Sequence, residues 1–190
     1  MFITKEMKPT GEPLKSFSIE NIRKYENNVK IIKHCVKNKI VDVNSSVHVT
    51  LRRLTTNNAR IDVIVEFGSI LGYACFMEDY NLCKYLIKNK ADLNITTNID
   101  SILKHMNYMC EFDYDEEFIL RGNLDPHLNL TPLELYGTKV TRSNLPEAIR
   151  FFSLFICSGV KLENLYFKDN LWFKIMFTYC KYELSHESTC

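Results

Sequence analysis

One segment recurs three times in this chain, and it constrains the fold more than any other feature of the sequence. The copies begin at Asn27, Glu78 and Glu147 and read NNVKIIKHCVKNKIVDVN, EDYNLCKYLIKNKADLN and EAIRFFSLFICSGVKLE. In each copy the apolar residues recur at the spacing of one helix face, which predicts an amphipathic helix followed by a turn. Because such a helix cannot bury its apolar face alone, the copies are expected to pack on one another.

The second copy shows the complete predicted unit. Ser69 precedes a short apolar helix and is a candidate N-cap, and Ala74 in that helix lets a neighbouring helix approach closely. A longer helix follows, with four apolar residues on one face: Leu82, Cys83, Leu86 and Ile87. Residues 89–94 are then expected to turn the chain away from the helix pair.

These units resemble the ankyrin-repeat family, in which a TPLH-like first helix, a longer second helix and a GADVN-like turn repeat about every 33 residues. The strongest matches are residues 69–74 with 91–94, and 131–135 with 159–162. The resemblance implies a mainly α-helical, ankyrin-like solenoid of three to four divergent repeats with a β-hairpin insertion. An unrelated helical bundle with chance self-similarity is the alternative.

The resemblance also implies a domain organisation. Residues 1–17 are expected to form a flexible leader, and residues 18–190 a single repeat domain. The units are placed at 18–44, 68–94 and 130–163, with a cap at 165–182 and insertions at 45–67 and 95–129. Residues 18–22 are expected to form a degenerate first helix. Lys39 and Lys90 stand where the family turn has glycine, which costs free energy if the turn requires a positive φ.

The first insertion is predicted to be a β-hairpin. Apolar residues alternate with mostly polar ones through 47–52 and again through 61–66, on either side of an Asn-containing segment. Arg52, Arg53 and Arg60 lie near the expected tip and are candidate partner-binding residues. The alternative is that the hairpin only packs on the adjacent repeat.

The second insertion contains a dense acidic and aromatic segment. Its candidate partner-binding residues are Glu111, Phe112, Asp113, Tyr114, Asp115, Glu116 and Glu117. Such a surface is suited to a basic partner or to the arginines of the hairpin. A solvated acidic loop is the alternative. A calcium loop is not expected, because the central glycine and the spacing of the terminal glutamate are missing.

The sequence offers no motif for catalysis, a cofactor or a metal. It contains no glycine-rich phosphate loop, no G-x-S-x-G elbow, no H-E-x-x-H pair and no Cys-x-x-Cys motif, and its five histidines are scattered. We therefore expect no enzymatic activity, no cofactor and no metal site.

Charge and composition restrict the partners. With 24 Lys and Arg against 23 Asp and Glu, the net charge of +1 gives no reason to expect nucleic acid or an anionic membrane as a partner. No apolar run of about 18 residues is present, so no membrane span is expected. The seven cysteines are odd in number and several lie at apolar helical positions, which favours a reducing, cytoplasmic location.

The preferred hypothesis is a non-catalytic protein–protein interaction module. The resemblance extends to viral or intracellular-bacterial ankyrin proteins that act on a host protein, which implies the host cytoplasm or nucleus as the location. The first alternative is a structural protein that assembles with itself as a homo-oligomer. The second is an enzyme or nucleotide binder with an unfamiliar fold.

Overall fold

The computed structural model describes residues 12–20, 25–54, 60–100, 102, 127–141 and 143–187. Over these residues the chain forms a mixed α/β fold with a three-stranded sheet, a two-stranded sheet and six α-helices. The prediction of a mainly α-helical, ankyrin-like solenoid is therefore wrong. The physical reason is that the larger sheet buries its apolar face and forms one side of the core.

The elements are numbered in chain order. Strands β1 to β5 are Leu14–Glu20, Val41–Leu54, Arg60–Phe67, Thr97–Asn98 and Asn129–Leu130. Helices α1 to α6 are Tyr25–Lys37, Ile70–Phe76, Tyr80–Lys88, Pro132–Gly137, Leu145–Cys157 and Leu171–Glu187. Two short 3-10 helices, Leu162–Asn164 and Tyr166–Asp169, connect α5 to α6.

Strand β1 lies where part of the flexible leader and the degenerate first helix were expected. It pairs parallel with β2, placing Phe17 beside Val47 and Ile19 beside Val49. Phe17 and Ile19 are buried, and Ser18 between them is only half-buried. This alternation has the period of a strand, so both apolar side chains reach the same sheet face. The leader and helix predictions are wrong for the residues of β1, while residues 1–11 and 21–24 lie outside the described ranges.

The predicted hairpin is confirmed as a strand pair, but it is not an appendage. β2 pairs antiparallel with β3, beginning with Val47 opposite Phe67. Val47, Val49 and Val65 have no exposed surface, and Phe67 is also buried. These side chains join the same core as those of α1 and α2. The hairpin therefore supplies two of the three strands that close the core.

The three copies of the repeated segment share one helix ending, as the sequence predicted. In each, a backbone N–H bonds to the carbonyl five residues earlier: Ile40 to Cys35 at 2.9 Å, Ala91 to Leu86 at 3.1 Å and Val160 to Phe155 at 3.1 Å. The preceding residues have positive φ, 55° at Lys39, 70° at Lys90 and 99° at Gly159. Two of the copies therefore hold a lysine in the left-handed region that favours glycine.

The helices form a row that starts at the sheet. α2 packs against β2, α3 and α4, and α5 packs against α4 and α6. The predicted cap of α2 is confirmed, because Ser69 Oγ accepts a hydrogen bond from the N–H of Gly72 at 3.0 Å. A Cβ on Gly72 would lie 3.0 Å from Thr97 Oγ1, so this glycine lets α2 approach β4 closely. α6 stands at the far end of the row.

Candidate functional site

A cleft of about 380 Å³ opens between the α2–α3 turn and the first turns of α5. Its lining residues are Met77, Glu78, Asp79, Tyr80, Asn81, Glu147, Arg150 and Phe151. Three of these side chains are carboxylates and one is a guanidinium, so the walls are rich in charge. Asp79 also has a structural task, because its Oδ1 caps α3 by accepting a hydrogen bond from the N–H of Leu82 at 2.8 Å.

Lys139, in the loop between α4 and α5, fixes one end of the cleft. Its Nζ lies 2.8 Å from Glu78 Oε1 and donates a hydrogen bond to the carbonyl oxygen of Phe76 at 2.7 Å. The same ammonium lies 4.7 Å from the centroid of the Phe76 ring. Lys139 therefore neutralises one of the three carboxylates and holds the loop against the end of α2.

Stacked side chains form the floor and one wall. The guanidinium of Arg150 lies 4.6 Å from the centroid of the Tyr80 ring, at the distance of a cation–π contact. Tyr80 meets Phe151 edge to face, with ring centroids 5.6 Å apart. Behind Phe151, the Tyr136 ring stacks on it at 3.9 Å with 10° between the planes. These contacts leave little freedom for the side chains of the cleft.

The Tyr136 ring of this stack carries a buried hydroxyl. The residue is 1% exposed, and its hydroxyl has no hydrogen-bond partner among the described residues. Burial raises the pKa of Tyr136, and the nearby carboxylates of Glu78 and Glu147 raise that pKa further. The hydroxyl therefore stays protonated at neutral pH and cannot serve there as a base.

Two thiols lie close together between α2 and α3. The sulfur atoms of Cys75 and Cys83 are 3.6 Å apart, and neither residue has exposed surface. Burial raises the pKa of the Cys75 thiol well above its usual value, and the contact with Cys83 adds to that shift. Because the thiolate is the reactive form, Cys75 is suited to packing and not to nucleophilic attack.

The described part of the chain holds no group of three or more His, Cys, Asp or Glu side chains placed to bind a metal ion. None of the helices within those same ranges has the length and apolar character needed to cross a membrane.

Of the candidate residues from the sequence, the structure describes only the backbone of the three hairpin arginines. The backbone register of the hairpin places Arg52 opposite Asp62, Arg53 opposite Ile61 and Arg60 opposite Leu54. The three arginines thus lie in the last three residue pairs before the turn, close together as expected. Their side chains lie outside the described residues, as does the whole acidic segment at 111–117. Their part in binding stays a prediction.

Helix α6 is apolar on two opposite faces. Its inner face, which packs on α5, consists of Phe173, Met176, Phe177 and Cys180, all buried. Its outer face carries Leu171 at 73%, Ile175 at 57%, Tyr179 at 46% and Tyr182 at 59% exposure, and Tyr166 at 57% precedes them in the adjoining 3-10 helix. We call these five residues the outer stripe.

The sequence predicts a dense apolar cap at residues 165–182, but not that several of its large side chains face outward. The signal was present, since Leu171, Ile175 and Tyr179 recur every four residues and Phe173 and Phe177 follow a second series with the same period. Two such series on one helix predict two apolar faces.

No protein-family model, curated protein or solved structure matches this chain.

Proposed function

We propose that this chain is a non-catalytic protein–protein interaction module and that the outer stripe of α6 is its contact surface. The observation that supports the proposal is the exposure of four large apolar side chains on one face of α6 and of Tyr166 in the short helix before it, between 46% and 73% each. Exposing apolar surface to water costs about 25 cal/mol per Å². Exposed apolar side chains grouped in this way make a candidate binding surface for another macromolecule.

The composition of the outer stripe supports the same function. Tyr166, Tyr179 and Tyr182 combine a large apolar ring with a hydroxyl, and tyrosine is enriched at protein interfaces. Leu171 and Ile175 supply aliphatic surface beside them. A partner protein therefore gains both buried apolar area and hydrogen-bonding groups from this face.

The state of the groups near the cleft favours binding over catalysis. Tyr136 and Cys75 are held in their protonated forms, Glu78 is paired with Lys139, and Arg150 is stacked on Tyr80. The charged groups of the cleft are better suited to polar contacts with a partner, which influence association rate and specificity.

The resemblance described above adds a host protein as a candidate partner for surfaces other than the outer stripe, and that part of the proposal rests on the repeat motifs alone. The arginines of the hairpin and the acidic segment at 111–117 are further candidate contacts within the same proposal.

Site-specific photo-cross-linking tests the contact surface. A benzophenone amino acid replaces Tyr179 in the outer stripe, and in a control it replaces Lys84 on the exposed side of α3. In an extract of the native cells, we expect discrete protein adducts from position 179 and none from position 84. Excess unlabelled wild-type protein should compete for these adducts, and excess Ile175→Asp protein should not. Equal adducts at the two positions, or none at position 179, would overturn the proposal.

A further inference from the structure

Helix α6 has two apolar faces with charged and polar residues between them, and the described residues cover only one of those faces. Large apolar side chains on a helix face are stabilised when another surface covers them. α5 covers the inner face, and the other main contact of α6 is with the short helix Tyr166–Asp169 that precedes it. The five side chains of the outer stripe remain 46% to 73% exposed in the described part of the chain. The occupant of this face is therefore to be sought outside the described residues.

Accepting the proposed function, we infer that the occupant of the outer stripe is a second copy of this chain, so that two α6 helices pack face to face. A symmetric pair needs only one surface that complements itself, which makes a twofold dimer the commonest protein assembly. The outer stripe is long enough to pair with its own copy. From Leu171 to Tyr182 it extends for about 17 Å along the helix, and a second α6 offers an apolar face of the same length.

The area of the outer stripe fits a weak dimer. A tyrosine side chain presents about 150–250 Å², so five large side chains that are roughly half exposed offer on the order of 500 Å² per copy. Two copies would bury on the order of 1,000 Å², which is the lower limit for a specific interface. An interface near this limit belongs to the weak, transient class, so association is expected to depend on protein concentration.

The charges beside the outer stripe permit this pairing. The net charge of +1 creates little general repulsion between two copies. At 3.6 residues per turn, Lys174 and Lys181 lie along one edge of the stripe and Glu183 lies along the other. In a twofold pair with parallel helices, opposite edges meet, so Lys181 of each copy lies near Glu183 of the other. An antiparallel pair would bring like edges together, which places lysine beside lysine.

Sedimentation equilibrium of the full chain tests the inference. Over about 1–500 µM, we expect the mean mass of the wild type to rise from one chain towards two. Ile175→Asp places a carboxylate in the outer stripe and should raise the dissociation constant at least tenfold. Ile64→Asp is the matched control, because Ile64 lies on β3 with nearly the same exposure, 62% against 57%. The control should dimerise like the wild type, and circular dichroism should show that both variants are folded.

Three results would overturn the inference. They are a wild type that stays a single chain throughout, an Ile175→Asp variant that associates like the wild type, and a mass that continues past two chains, because a closed pair cannot grow. If the wild type stays a single chain but position 179 still cross-links to a different protein, the inference of a second copy is wrong. The proposed function would still stand in that case. A dimer that Ile175→Asp disrupts supports both.

Discussion

The Oε1 atom of Glu134 accepts a hydrogen bond from the backbone N–H of Phe167 at 3.0 Å, across 33 residues of sequence. The Oε2 atom accepts bonds from the N–H and the hydroxyl of Thr131, at 3.0 Å and 2.7 Å. Glu134 is 1% exposed. One buried carboxylate therefore caps α4 and ties it to the short helix that carries Tyr166 and leads into α6.

Replacing this carboxylate should destabilise the fold. In Glu134→Gln the amide nitrogen must face one of the three donors, so a charge-assisted hydrogen bond is lost and a buried donor is left unpaired. We expect the free energy of unfolding to fall by about 1.5–3 kcal/mol, measured by urea denaturation. Glu163→Gln, on an exposed residue, should change it by less than about 0.5 kcal/mol. Equal losses in the two variants would show that the buried contacts do not hold this region.

The lysines with positive φ allow a substitution that should raise the stability of the fold. Lys90 has φ of 70° and is exposed, so Lys90→Gly removes backbone strain without removing a buried side chain. The left-handed conformation costs an L-residue about 1–2 kcal/mol, and Lys90→Gly removes this cost. The more flexible glycine loses about 0.5–1 kcal/mol of that gain, because it loses more backbone entropy on folding. We expect a net gain in stability of about 0.5–1 kcal/mol. Lys84→Gly, inside α3, should instead lose about 1 kcal/mol. A loss at both positions would contradict a strained turn.

Gly68 should tolerate no side chain. A Cβ at this position would collide with the backbone carbonyl oxygen of Thr96, and a backbone atom cannot move aside as the end of a flexible side chain can. We expect Gly68→Ala to cost about 3 kcal/mol or more, seen as a large drop in the thermal midpoint. Gly159→Ala has nothing within 4 Å of the added carbon, so only its positive φ opposes the change and the cost should stay near 1–2 kcal/mol. Similar midpoints for the two variants would argue against a steric limit at Gly68.

Stability should fall at alkaline pH because of Tyr73. Burial raises the pKa of Tyr73 from 10.0 to about 12, so the unfolded chain releases this proton before the folded one. The folded state then binds more protons than the unfolded state between about pH 10 and pH 12, and its stability decreases as pH rises through that window. Two pKa units correspond to about 2–3 kcal/mol. Tyr73→Phe should reduce this pH dependence relative to the wild type, as followed by denaturant unfolding at several pH values. If the free energy of unfolding changes with pH equally in both proteins, the pKa of Tyr73 is not raised in the folded state.

Local signals in the sequence predicted local structure well. Alternation of apolar with mostly polar residues on both sides of an Asn-containing turn predicted the β2–β3 pair. The resemblance placed Lys39 and Lys90 where the family turn has glycine, and both residues have the positive φ that favours glycine. Strand β1 was missed because its alternation covers few residues, and pairing with a strand more than twenty positions away decides its conformation. Such non-local contacts cannot be read from a single segment.

The contact surface was missed for a different reason. Periodicity shows that α6 has apolar residues at helical spacing, but only the packed structure shows which series meets α5 and which meets solvent. The cleft joins residues 77–81 to residues 147–151, and no short motif marks that meeting.

Cross-linking between isotopically distinct copies tests the central claim most directly. Light and heavy forms of the chain, each with a benzophenone amino acid in place of Tyr179, are mixed at high concentration, illuminated and analysed by mass spectrometry. We expect mixed light–heavy products that join position 179 of one copy to residues 171–186 of the other. Products confined to single chains, or mixed products that end on other parts of the surface, would contradict a face-to-face pair of α6 helices.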